Sequence, residues 1–313
     1  MDSVLASRSA NMRMQGMPAG LALLLVSSTL LAQPAIAPDG DSLRADLARI
    51  VGLENDQRAE TLLRIFRERG FDPEIGEFQN PARFRNSPAV GRNLIVTLGE
   101  GDRDIVVGAH YDAILMRDGR ISDGAVDNGA SSVVLTRVAE SLRRHALKHR
   151  IRVVLFDLEE IGLIGSRAYV QSEDTSRIAA MVNVDVIAGD GVIMFGPTSH
   201  EGNEAVYRSL RLVCAVKAIS CADFPVYPSS DDRPFQAAGI PNVSLAMIGA
   251  VSSHEFWLFL NAPGQSGLRR DFVPDLRRII HTKEDTIERV DATAMARVHD
   301  AVVALVVELD GAL

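Results

Sequence analysis

The chain has 313 residues, of which 47% are hydrophobic and 24% charged, a balance that suits a folded protein rather than a disordered one. Its formal charge of −8, with no cluster of Lys and Arg on the scale of a phosphate track, speaks against a nucleic-acid partner.

In chain order, residues 1–37 read as an export signal. Arg8 and Arg13 give a positive start, an apolar run extends from about Gly20 to Ala32, and Ala35-Ile36-Ala37 offers the small residues that a signal peptidase accepts. The run falls short of the about 20 apolar residues of a membrane helix, and no Cys near the cut supports a lipid anchor. The expected product is therefore exported, periplasmic or secreted, with no membrane attachment after cleavage. Residues 38–313 remain, a length that suits one sizeable α/β domain.

That domain opens with two amphipathic helices between Asp41 and about Gly70, because Leu43, Leu47, Ile50 and Val51, then Leu62, Leu63, Ile65 and Phe66, recur at helical spacing. Strands are expected at 93–98, 105–109, 151–156, 181–186, 192–195 and 242–247. Several are apolar on both faces, as buried central strands are. Helical patterns cover 129–147, 166–172, 204–216 and 232–238. A closing helix over 291–309 has Asp291 as its N-cap and Met295, Val298, Val302, Leu305 and Leu309 as its inward stripe. Alternating strands and helices predict a three-layer α/β/α domain around a largely parallel sheet, with ligands gathered beyond the carboxyl ends of the strands. Cys214 and Cys221, close in sequence in an exported chain, are expected to pair; two free buried thiols are the alternative.

Acids and imidazoles fall at those strand ends. His110 and Asp112 follow one apolar strand, Glu159 and Glu160 follow another, and Asp185 ends a third, while Asp127 starts a helix and His281 follows Ile279-Ile280. Two His and three carboxylates form a suitable shell for a pair of borderline divalent ions such as Zn²⁺. Because adjacent residues point to different sides, one of Glu159 and Glu160 can ligate while its neighbour serves as general base. Asp112 is placed to accept the second ring N–H of His110, unless it only makes an Asx-type turn. Taken singly, Asp127 reads as a helix cap, His281 as a surface histidine and the Glu pair as solvated. Caps and solvated faces have no reason to converge on one rim.

Five ordered segments then carry a resemblance: GAHYD (108–112), GAVDNGAS (124–131), EEIGLIGS (159–166), VNVDV (182–186) and HTKEDT (281–286). They resemble the motif series of the co-catalytic zinc aminopeptidases, which include secreted bacterial leucyl aminopeptidases. The wider clan includes glutamate carboxypeptidases and glutaminyl cyclases. The resemblance runs from about residue 90 to 290. It implies an α/β/α sandwich with a mixed, mostly parallel sheet, two zinc ions per chain and removal of the N-terminal residue of a peptide substrate. It further implies Asp127 as the bridging ligand, Glu160 and His281 completing one site, His110 and Asp185 completing the other, and Glu159 as the general base.

Tyr227 resembles a tyrosine that some relatives place near the oxyanion; the alternative is a loop tyrosine with its ring half buried. Where relatives often read Ser-Asp-His, this chain has Ser230-Asp231-Asp232. Where they cross from the last strand to the final histidine in few residues, it holds the aromatic stretch His254-Glu255-Phe256-Trp257-Leu258-Phe259. That stretch reads as a helix packed on the core, or as a wall of the substrate pocket. Glutaminyl cyclisation, removal of C-terminal acidic residues and a non-catalytic peptide-binding ectodomain are the alternative functions. No sequence feature fixes an oligomeric state.

Overall fold

Strands that are apolar on both faces need cover on both faces, and the chain provides it. The computed structural model describes residues 38–81 and 87–313; the expected export signal at 1–37 lies outside them. From the amino end run helices α1 (Gly40–Leu47) and α2 (Asn55–Glu68), strands β1 (Glu74–Gln79), β2 (Val90–Leu98) and β3 (Asp104–His110), then α3 (Ala130–Leu142). Strand β4 (Arg150–Phe156), α4 (Ile164–Ser172), β5 (Ile178–Ile187), β6 (Val192–Gly196), α5 (Glu204–Lys217) and β7 (Ser220–Asp223) follow. The chain closes with α6 (Asp232–Ala237), β8 (Asn242–Ile248), α7 (Ala250–Asn261), α8 (Asp275–Ile279) and α9 (Ala292–Ala312).

The eight strands form one mixed sheet in the order β1-β2-β4-β3-β5-β8-β6-β7. Its centre, β4-β3-β5-β8, is parallel. β1, β2 and β6 run antiparallel to their inner neighbours, and β7 lies parallel to β6. The side-chain period of two divides the core in half. Ile105, Val107 and Ala109 of β3 join the larger apolar cluster with Leu43, Leu62, Val134 and Val302 of the helices, whereas Val106 joins a smaller one with Phe156, Tyr169 and Phe235 under α4 and α6. Each such burial contributes roughly 1.5–3 kcal/mol, so helices on both faces hold the sheet.

Asp291 caps α9 as expected, accepting from the backbone N–H of Thr293 at 2.7 Å and of Ala294 at 3.1 Å. The helix expected over 129–147 stops at Leu142. Beyond it, Asp310 of α9 accepts from the N–H groups of Lys148 at 3.0 Å and His149 at 2.7 Å, fixing the entry to β4. Cys214 and Cys221 are bonded, tying α5 to β7. Ser141 Oγ lies 2.9 Å from His299 Nε2, and His299 Nδ1 lies 3.0 Å from Asp300, the connectivity of a hydrolytic relay. Both Ser141 and His299 are buried in the contact between α3 and α9, so the bonds are helix packing. Among the described residues no helix is long and apolar enough to cross a membrane.

Candidate metal centre

The parallel centre of the sheet delivers its polar residues to one rim. His110 is the last residue of β3, Glu159 and Glu160 lie just past β4, and Asp185 sits near the end of β5, beside an irregularity in its pairing with β8. Asp127 comes from a short kinked turn, Ala125–Gly129, in which Asp127 and Asn128 have non-helical backbone angles and which Gly124 enters at φ 54°, a left-handed conformation that favours glycine. His281 follows α8 with φ 60°. Two further residues with positive φ, Leu158 at 57° and Val186 at 77°, adjoin Glu159 and Asp185. Such positions cost about 1–3 kcal/mol each and cluster where a site demands a particular direction of the side chain.

The Asp127 carboxylate stands between the two imidazoles. Its Oδ1 lies 3.1 Å from His110 Nε2 and its Oδ2 3.2 Å from His281 Nε2. Asp185 Oδ1 approaches His110 Nε2 at 3.5 Å, and Glu160 Oε2 approaches His281 Nε2 at 2.9 Å. Two sets of donor atoms result, His110–Glu159–Asp185 and Asp127–Glu160–His281, each with its atoms within 4.8 Å of one another. Glu160 Oε1 is buried without a hydrogen-bond partner, an acceptor that a cation would satisfy. Carboxylate and imidazole donors at this spacing fit zinc.

Supporting bonds fix the ring and the acids. His110 Nδ1 faces the Asp112 backbone carbonyl at 3.2 Å and its carboxylate at 3.4 Å. The same carboxylate accepts from the backbone N–H of Glu159 at 3.0 Å and of Glu160 at 3.3 Å, so Asp112 joins the β3 and β4 ends. Two further residues to which no sequence pattern gives a role, Asp285 and Asn128, anchor the Asp127 turn. Asp285 accepts from the N–H of Val126 at 2.6 Å and of Asp127 at 3.3 Å, and Asn128 bridges to β5 through Val184 O at 2.9 Å and Val186 N at 3.1 Å. Both lie inside segments already singled out, GAVDNGAS and HTKEDT.

A profile of peptidase family M28 matches residues 93–306, more than half of the chain and all of this rim. The chain belongs to peptidase family M28. Leupeptin-inactivating enzyme 1 of Streptomyces exfoliatus is 29% identical over 231 residues, 70% of this chain and 48% of that one. The chain thus spans about half the length of that relative. A zinc aminopeptidase from Bacillus subtilis superposes with a TM-score of 0.67 at 15% identity, over 87% of this chain and 95% of that one. The glutaminyl cyclase of Porphyromonas gingivalis gives 0.69 at 18% identity, over 88% and 99%. At these identities the two structures establish the fold, the mixed α/β/α sandwich that the sequence resemblance implied.

In this M28 chain the centre is electrostatically poised for positive charge. Hydrogen bonds to Asp127 and Glu160 push His281 up to about 10. Burial alone would lower His110, but Glu159, Asp112, Asp127 and Asp185 around it raise it well above the usual imidazole range. Burial raises Glu160 to about 7 and Glu159 well above ordinary carboxylates. Asp127 moves the other way: burial opposes its charge, yet bonds from both imidazoles hold it below the usual range. Protons on the imidazoles stand where a divalent ion would, and an entering ion has to displace them.

The rim opens into a cleft of about 990 Å³, the size of a small-ligand site. One wall is apolar, built from Met194, Ala246, Phe256, Leu276 and Ile280, with Tyr227 beside them. Tyr227 is buried with its ring edge-on to Phe224, and burial, then Asp185 and Asp232, keep its hydroxyl protonated. The aromatic stretch forms α7 and serves both readings at once, since Phe256 packs in the core cluster and lines the cleft. His254 faces a separate, smaller groove with Trp257. Asp231 and Asp232 are buried and absent from the cleft wall, to which their loop contributes Tyr227, Pro228 and Ser229.

Proposed function

We propose that the protein is an exported zinc exopeptidase that removes N-terminal residues from peptides, with residues 38–313 acting as one catalytic domain once 1–37 are cleaved. The observation that carries this reading is the Asp127 carboxylate shared by His110 and His281, with Asp185 and Glu160 on its two sides. In it, His110 and Asp185 would hold one zinc ion, Glu160 and His281 would hold a second, and Asp127, which stands between the two imidazoles, would serve both. When bound, the ions supply Lewis acidity and positive charge at the scissile carbonyl.

The remaining chemistry belongs to the chain. Glu159, whose burial raises its proton affinity, takes a proton from the attacking water and returns it to the leaving amine. Asp112 orients His110 through Nδ1 and holds the Glu159–Glu160 backbone. The protonated Tyr227 hydroxyl donates to the carbonyl oxygen as it gains charge. The wall of Met194, Ala246, Phe256 and Leu276 receives an apolar first side chain.

Zinc content and amino-acyl anilide hydrolysis test the reading together. Two zinc ions per chain, with Glu159→Gln keeping both and losing hydrolysis, is the expected result. Full activity in that variant would remove Glu159 from the mechanism. A single tight ion with pyroglutamyl formation would favour the cyclase reading, for which the likeness to the Porphyromonas gingivalis structure speaks.

A further inference from the structure

Among the described residues, the largest fully buried side chain is charged. Arg58, on α2, is 0% exposed and lies outside residues 93–306, which the family profile matches. Its Nη1 donates to the Asp123 carbonyl at 3.0 Å and its Nη2 to the Gly124 carbonyl at 2.9 Å. Those two carbonyls begin the turn that delivers Asp127. The guanidinium lies against both glycines of the Asp127 turn: a Cβ on Gly124 would stand 2.7 Å from Nη1, as close as to Ala113 Cβ, and one on Gly129 would stand 3.0 Å from Nη2 and 2.6 Å from the Gly124 carbonyl oxygen. One turn earlier on α2, Asn55 accepts from the N–H of Ala113 at 2.9 Å and donates to its carbonyl at 3.2 Å. Helix α2 therefore brackets both the Asp112–Ala113 and the Asp123–Gly124 segments.

A buried guanidinium is costly unless its charge is answered, and a methionine of similar reach would pack there without that cost. Among the described residues Arg58 forms no close ion pair; burial weighs most against its charge, and Asp112, Asp285, Asp127 and Glu160 offset part of that cost. These are the acids of the candidate centre and of its supports. We infer that Arg58 is a positioning residue of the metal centre: it clamps the Asp123–Gly124 carbonyls so that Asp127 stays between the two imidazoles. Its fixed charge also offsets the surrounding carboxylates before any ion arrives. The inference rests on the proposed metal site.

The test uses the purified full chain with Arg58→Met and Arg58→Lys, and reads Zn²⁺ affinity by competition with a chromophoric chelator, without substrate. Loss of an outer support of this kind weakens metal binding by about 10- to 100-fold, and that is the expectation for Arg58→Met. Arg58→Lys keeps the charge but not the planar fork that reaches two carbonyls, so it falls between the parent and the methionine variant. Thermal unfolding in excess chelator is measured alongside. A methionine variant that melts earlier yet binds Zn²⁺ like the parent would make Arg58 a structural prop and overturn the inference. Should Arg58→Met not fold, the lysine variant decides: weaker Zn²⁺ binding supports the clamp and parental binding overturns it. A parent chain that binds no zinc would instead defeat the proposed function itself.

Discussion

Asp285→Ala is the most discriminating perturbation of the Asp127 turn. Asp285 is 1% exposed and accepts two backbone N–H groups, Val126 at 2.6 Å and Asp127 at 3.3 Å. Alanine leaves both donors buried without a partner, at about 1–3 kcal/mol each. The short bond to Val126 belongs at the upper end of that range and the longer one at the lower. Against this, burial and then the Asp127 charge raise the Asp285 carboxyl to about 7, so its ionised form is itself disfavoured near neutrality and removal relieves part of the loss. The net expectation is a destabilisation of about 2–4 kcal/mol, read from urea unfolding of the chelator-treated protein at unchanged m-value. Asparagine, which keeps one acceptor oxygen, should lose about half as much. Zn²⁺ affinity should fall in parallel, because the turn that presents Asp127 is freed. An alanine variant within about 0.5 kcal/mol of the parent, with parental zinc binding, would refute the reasoning.

Three further outcomes follow from the same physics. Burial raises Asp232 from 3.8 to about 7, so the folded state holds its proton more tightly than the unfolded chain; the stability it contributes is full below pH about 4 and is lost as pH rises through about 7. Asp232→Asn should flatten that decline and exceed the parent in stability at pH about 8 by chemical unfolding, and a parental slope would contradict the assignment. Zinc binding should strengthen from pH about 6 to about 8 with release of protons, because His281 at about 10 and Glu160 at about 7 hold the protons that the ion displaces; titration calorimetry in buffers of different ionisation enthalpy checks it, and buffer-independent heats would refute it. Replacing Cys214 and Cys221 by serine opens a loop with a sequence separation of 7, and the expected loss is about 2–3 kcal/mol, seen as a lower denaturant midpoint.

The central architecture was legible because buried parallel strands write themselves as unbroken β-branched runs. Each of the six strands read from the sequence lies within a strand of the sheet. The two that escaped, β1 and β7, are edge strands: Glu74–Gln79 is mostly exposed and Ser220–Asp223 has only four residues, so neither carries an apolar signature. The apolar spacing continues to Leu147 and so predicts a longer helix, whereas the chain turns after Leu142 and is held by Asp310 from a distant helix. At the rim, His110, Glu159, Glu160 and Asp185 stood out by their positions after apolar strands, and Asp127 and His281 by the motifs around them. Arg58, Asp285 and Asn128 did not, since each acts through backbone groups that only the fold brings near. No spacing rule announces an arginine whose partners are carbonyls more than sixty residues away.

The donors of the centre reach it from β3, the Asp127 turn, the end of β4, β5 and the segment after α8, so they are scattered over most of the folded chain. Each of the two donor sets draws on separate pieces of the chain, in contrast to a zinc finger, whose ligands are neighbours in sequence. Under the proposed function, metal uptake would report on completed long-range assembly and would arrive late in refolding, after the parallel pairings of high contact order have closed. Added zinc would then draw the folded population upward by mass action without hastening the steps that build the sheet.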